Sequence, residues 1–279
     1  RKFGLISHLR KLGLRISWGN TVNPPSDLGD AKQSAWEMHA HLCRHVAETL
    51  YQGDSYVVIG GDHSCAIGTW SGAGVSLKEK HPLGLIWIDV QLDSHTPEMA
   101  SRGWLNQMSL AALLGHGEHR FTHLAGYCPI VHPEHVAVIG VRRYTPDEAS
   151  CLEGLGVRVF SMDTVEKQGL EKVMYQALEI ALHQTSGFGV SIDLTAIDSA
   201  DAPAVTIPAE GGIRGKDLLH ALRLIHMEPN FLGMEVAEYN PILDDDHRTA
   251  RLTQDLIAAA FTGHSYEHGH KAGKQLLSA

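Results

Sequence analysis

The residues best placed to do chemistry lie in one stretch, Gly84-Leu-Ile-Trp-Ile-Asp-Val-Gln-Leu-Asp-Ser-His-Thr-Pro97. Its first five residues read as a buried strand. The rest is a polar loop holding Asp89 and Asp93, with Gln91 and His95 interleaved. In an open parallel sheet, ligands sit just beyond the carboxyl ends of the strands. Acidic residues crowded there suit a hard cation. Two other strand ends carry the same residue types. Ser55-Tyr-Val-Val-Ile-Gly-Gly-Asp-His63 runs into Asp62 and His63, and Phe188-Gly-Val-Ser-Ile-Asp-Leu-Thr195 carries Asp193 near its end. One aspartate at a strand end would ordinarily cap the next turn. Three strand ends bearing metal-type donors point to a shared site.

The elements that must position these residues alternate along the chain. Helical spacing covers Lys2 to Leu12, Ala31 to Tyr51, Leu105 to Leu114, Asp147 to Leu155, Leu170 to His183, Gly215 to Ile225 and Asp246 to Phe261, with a further helix from about Ser64. Strands are expected at Leu14 to Trp18, Tyr56 to Ile59, from Leu85, and at His135 to Val141, Val157 to Phe160, Gly187 to Asp193 and Phe231 to Val236. This alternation predicts an α/β fold: a three-layer, doubly wound, mostly parallel sheet with helices on both faces. One domain is expected over residues 1–263, followed by a C-terminal tail at 264–279.

Composition bounds the function classes. The 279 residues carry 43% hydrophobic and 20% charged residues, ordinary for a globule with a core. A net charge of −9 does not suggest a nucleic-acid or anionic-membrane partner. No apolar run approaches the ~20 residues that span a bilayer. Cys43, Cys65, Cys128 and Cys151 form no CxxC pair and read as reduced thiols of a cytoplasmic protein. Cys65 follows His63 and Ser64 at a helix start, which favours the thiolate, but burial as a structural thiol is the preferred reading. Gly60-Gly61 alone is a weak phosphate-loop signal, and Asp62 argues against an anion there. His264, His268 and His270 either form a metal patch or sit in a mobile tail, the reading preferred for so Gly- and Lys-rich a segment.

Four motifs, in order, resemble the arginase-type ureohydrolases, including agmatinases and formiminoglutamases. They are Gly60-Gly-Asp-His-Ser64, Trp87-Ile-Asp-Val-Gln-Leu-Asp-Ser-His-Thr-Pro97, Ser191-Ile-Asp-Leu-Thr-Ala-Ile-Asp198 with Ala202-Pro203, and Val236-Ala-Glu-Tyr-Asn-Pro241. The resemblance implies a two-manganese site whose bridging hydroxide attacks a guanidino or amidino carbon, a homo-trimer or hexamer, and a further strand ahead of Lys2. It also implies that His63, Asp89, Asp93 and Asp193 hold the first metal. The second metal's own ligands are replaced. The histidine of the Asp-Ala-His-x-Asp motif is Gln91 here, and the second aspartate of Ser-x-Asp-x-Asp is Thr195. The proton-shuttling histidine becomes Asn106, which cannot do acid–base work near neutral pH. Arg102 and Trp104 replace small polar residues at the amino-acid end of the substrate, and Glu238 keeps the place of the glutamate that pairs with the guanidinium.

Two readings of the cluster stand: a mononuclear site with manganese as the first guess, at most one per chain and conceivably none, or a relic held by hydrogen bonds. Asn106 and Gln91 read as drift after lost catalysis rather than a new amide-lined pocket, and Trp104 as cavity filling. The expected function is a family member weak or inactive as an arginase, acting as a binding or assembly subunit. The alternative is a mononuclear amidinohydrolase in which Asp93 and Glu238 are catalytic and His95, Trp104, Asn106 and Glu238 meet a small guanidino or amidino molecule.

Overall fold

The computed structural model describes residues 4–25, 29–77, 82–97, 99 and 105–263. Trp104, Arg102 and the tail expected from residue 264 lie outside them. Short, mostly apolar runs form the strands: β1 Tyr56–Ile59, β2 Leu83–Ile88, β3 Val136–Val141, β4 Arg158–Ser161, β5 Gly187–Asp193 and β6 Phe231–Ala237. Among the described residues these make one sheet in the order β1-β6-β5-β2-β3-β4, every neighbouring pair parallel. Strands β2, β3 and β5 are buried at every residue, as a parallel sheet covered on both faces requires.

Side chains alternate across the sheet and divide the core in two. Ile86, Ile88, Ile139, Val190 and Ile192 meet helices Leu170–Leu182, Gly215–His226 and Arg248–Thr262 on one face. Leu85, Trp87 and Val138 face the other way, against Trp70 and Ala73 of helix Cys65–Leu77. Two glycines set how closely the layers approach. A Cβ on Gly84 would lie 1.9 Å from the Ala181 carbonyl oxygen, and one on Gly189 would lie 2.0 Å from the Trp70 ring.

The structure corrects one strand and adds two helices, one of them the single turn His119–Thr122. Leu14 to Trp18 is not a strand. Its alternation is real, because Leu14 and Ile16 pack on the core, but the Ile16 carbonyl is taken by the Arg10 guanidinium at 3.0 and 2.8 Å rather than by a ladder. The segment Met162–Gln168 is helical, with Ser161 capping it by accepting from the Thr164 N–H. The helix Pro146–Leu155 carries a full capping box between Thr145 and Glu148, which fixes its start. All four cysteines are unpaired, and no described helix is long and apolar enough to cross a membrane.

His39, on the helix Ala31–Tyr51, is fully buried edge-on to Phe121. Burial lowers its pKa to about 4, with the Asp62 charge opposing weakly. The unfolded chain takes up this proton near pH 6.5 and the folded chain only near 4, so stability is present above 6.5 and is lost as pH falls towards 4. At pH 5 the loss is about 2 kcal/mol. Denaturant titrations at pH 7.5 and 5 should show that difference, and His39→Leu should remove it. An equal drop in the variant would assign it to other groups.

Candidate metal centre

The sheet order sets the carboxyl ends of β1, β6, β5 and β2 side by side. Chain β1 passes through Gly60, Gly61 and Asp62 to His63; β6 leads to Glu238; β5 ends on Asp193; β2 leads to Asp89. Pairing of Ile88 with Ile192 brings Asp89 and Asp193 alongside one another. Three carboxylates then surround a single imidazole nitrogen. His63 Nδ1 lies 2.9 Å from Asp89 Oδ2, 3.2 Å from Asp93 Oδ2 and 3.4 Å from Asp193 Oδ2. Ligand atoms of His63, Asp89 and Asp193 all fall within 4.8 Å of one another. All four residues are buried, none more than 5% exposed.

One N–H serves one acceptor well, not three. Asp93 Oδ2 is accordingly buried without a hydrogen bond. The other oxygens are held from behind. Asp89 Oδ1 accepts from the Gln91 backbone N–H at 2.9 Å, and its Oδ2 from the Trp87 indole at 3.1 Å. Asp193 Oδ1 accepts from the Thr195 N–H at 2.6 Å and its hydroxyl at 2.5 Å. The Trp87 ring also stacks on His63, centroids 4.1 Å apart. Asp93 adopts a left-handed φ of 48°, uncommon outside glycine, while its carbonyl accepts the N–H groups of Leu110 and Ala111.

The electrostatics follow from this crowding. Burial raises the Asp89 carboxyl, with the Asp193 charge adding to it; burial and then the Asp89 charge push Asp93 well up. Burial alone would lower His63, but the three carboxylates crowded on its Nδ1, those of Asp193, Asp89 and Asp93, outweigh it and hold the imidazole well above its ordinary range. The donor set therefore fits a divalent cation: dry, oxygen-rich, with one imidazole and more negative charge than one proton can offset.

The site opens into a cleft of about 1570 Å³ that runs along the outer edge of β1. Gln91, Asn106, Thr195 and Glu238 line it. Glu238 sits at φ 65°, its N–H on the Gly61 carbonyl at 2.7 Å and its Oε1 accepting from the His63 N–H at 3.2 Å. Burial, then the Asp193 charge, raise its carboxyl to about 7.

Of the sequence candidates, His63, Asp89, Asp93 and Asp193 are brought together, and Glu238 and Asn106 face the same cleft. His95 is turned elsewhere. Its Nδ1 lies 3.1 Å from Glu148 Oε1 and its N–H donates to the Gln107 carbonyl. Three residues beside the site were not among the candidates, although Ser191 opens one of the motifs. Arg142 donates to the carbonyls of Gly140, Thr195, Ala196, Ala209 and Glu210, tying the loop that carries Thr195 to the end of β3. Ser191 and Glu235 lie inside strands behind His63. Their signal was a polar residue interrupting an otherwise apolar run.

Comparison with known proteins bears on this arrangement. A family model described as "Arginase family" matches residues 10–263. An arginase of Brevibacillus brevis is 32% identical over 268 residues, covering 94% of this chain and 89% of the relative. The mitochondrial arginase-2 of Bos taurus is 30% identical, covering 99% of this chain and 81% of the relative. The crystal structure of arginase from Bacillus cereus superposes with a TM-score of 0.86 at 30% identity, over 96% of this chain and 91% of that one.

Proposed function

Because this chain belongs to the arginase family, we propose that it retains one of two metal positions and works as a guanidino- or amidino-binding subunit with weak or no hydrolytic turnover. His63, Asp89, Asp93 and Asp193 would hold one divalent cation, manganese by the oxygen-rich character of the set. The observation that carries this reading is the single Nδ1 enclosed by three carboxylates, with only neutral side chains, Gln91 and Thr195, where a second cation would need charge. When bound, a divalent cation supplies Lewis acidity and lowers the pKa of a coordinated water. Glu238 offers a carboxylate to the cationic end of a guanidino compound entering the cleft. Asn106 can hydrogen-bond such a ligand but cannot carry its proton. Loss of a positioned acid–base group alone costs about 10²-fold or more in rate.

Asp93 favours the second reading, a mononuclear amidinohydrolase. Its Oδ2 is buried, without a hydrogen bond, and 3.2 Å from His63 Nδ1, where it would orient an attacking water.

Urea release from arginine, with and without added manganese, separates the two. Both readings place release at least ~10²-fold below that of a relative bearing histidine at the Asn106 position. The subunit reading expects no release that depends on added manganese, and the second expects manganese-dependent release; turnover equal to such a relative overturns both. Glu238→Gln should in either case weaken binding of a guanidinium probe, measured by calorimetry.

A further inference from the structure

Behind the cluster, the far side of the His63 ring is held by a chain of two buried groups. His63 Nε2 lies 2.8 Å from Ser191 Oγ, and the Ser191 hydroxyl donates to Glu235 Oε1 at 3.2 Å. Ser191 and Glu235 are directly paired across β5 and β6, and both are 0% exposed. Glu235 does not reach the ring directly, its Oε1 standing 3.8 Å from Nε2. A carboxylate in the middle of a dry strand is costly unless it is hydrogen-bonded, and Glu235 also meets the Thr69 and Cys65 side chains.

Imidazole chemistry gives it a task. A neutral histidine carries its proton on one nitrogen only, and the partner of one nitrogen decides what the other presents. Ser191 has one hydroxyl hydrogen. If that hydrogen is committed to Glu235, the oxygen can only accept from the ring, so Nε2 must be the protonated nitrogen. Nδ1 is then the nitrogen whose proton, shared with Asp89 in the metal-free cluster, a cation would replace. Metal-bound histidines are characteristically fixed by such a partner on the remote nitrogen. The Trp87 ring stacked on His63 holds the plane in which this selection operates.

We propose that Glu235 is a positioning residue acting through Ser191: it orients the serine hydroxyl, which fixes His63 as the Nε2-protonated tautomer and presents Nδ1 to a cation. This rests on the reading of His63 Nδ1 as a metal ligand, and the role needs Glu235 only as an acceptor.

The test is a double-mutant cycle on the full chain with Ser191→Ala, which removes the hydroxyl, and Glu235→Met, which removes the acceptor at similar length. Manganese affinity is read by calorimetry. Ser191→Ala should weaken binding about 10- to 100-fold, the range for outer-shell partners of metal ligands. Glu235→Met alone should weaken binding too, while adding it to Ser191→Ala should cost nothing further, because the carboxylate acts through the hydroxyl; Glu235→Gln, which keeps an acceptor oxygen, should bind as the wild type does. Additive losses, or unchanged affinity in Ser191→Ala, would overturn the proposal. A second readout does not depend on manganese. In the metal-free chain with ¹⁵N-labelled histidine, the His63 Nε2–H proton should exchange slowly in the wild type and fast in Ser191→Ala. If the wild-type chain binds no manganese, the metal reading fails, while loss of the slow proton in Ser191→Ala still supports the relay. Equal exchange in both chains would sink it.

Discussion

Asp193→Ala is expected to abolish manganese binding, with affinity falling by more than ~100-fold, beyond what removal of an outer-shell partner costs. Asp193 closes the donor set on the β5 side. Its Oδ2 stands 3.4 Å from His63 Nδ1, while its Oδ1 is fixed by the N–H and hydroxyl of Thr195. Removing it leaves the imidazole with two carboxylates on the β2 side and an opening towards the cleft. Asp193→Asn is the companion variant. The amide oxygen can keep the two bonds from Thr195, so the loop stays in place while the charge is lost. Calorimetric titration with manganese, beside a thermal melt of each variant, checks both. Affinity within about threefold of wild type in a folded Asp193→Asn chain would move the metal away from this cluster; three carboxylates set the affinity of a hard cation more than any one neutral donor does.

The second large effect is a gain. The double variant Gln91→His and Thr195→Asp should raise the stoichiometry from at most one manganese per chain to two. Gln91 lines the cleft and its backbone N–H is on Asp89 Oδ1; Thr195 touches Asp193 Oδ1. Both substitutions place new donors beside carboxylates already present, Asp89 and Asp193. The same change adds a fourth carboxylate to a crowded, buried set, which raises mutual repulsion when no cation is bound. The metal-free double variant should therefore melt lower than wild type, and manganese should raise its melting temperature by more than it raises the wild type's. Unchanged stoichiometry in a folded double variant would sink the assignment of these two positions.

Much of this site could be read from sequence because its donors stand at strand ends. Asp89, His63 and Asp193 each follow an apolar run, and the break from apolar to polar marks where the chain leaves the sheet. The alternation of helix and strand gave the fold class for the same reason. What sequence could not show was direction. His95 shares the Asp89–Asp93 loop, yet its ring turns to Glu148, because the capping box that starts the helix Pro146–Leu155 puts that carboxylate within reach. Leu14 to Trp18 alternates like a strand, but alternation reports which side chains are buried, not whether a neighbouring ladder exists; Arg10 takes the carbonyl instead. Ser191 and Glu235 are 44 positions apart and meet only through the β5–β6 register.

We propose one metal per chain, held by His63, Asp89, Asp93 and Asp193. The decisive measurement is elemental analysis of the purified, tag-free protein after dialysis against manganese. About one manganese per chain is expected in the wild type and none in Asp193→Ala. Two per chain in the wild type would overturn this, since Gln91 and Thr195, which offer only neutral oxygens, would then be supporting a second cation. None in the wild type would contradict it from the other side and leave the three carboxylates as a proton-sharing cluster around His63.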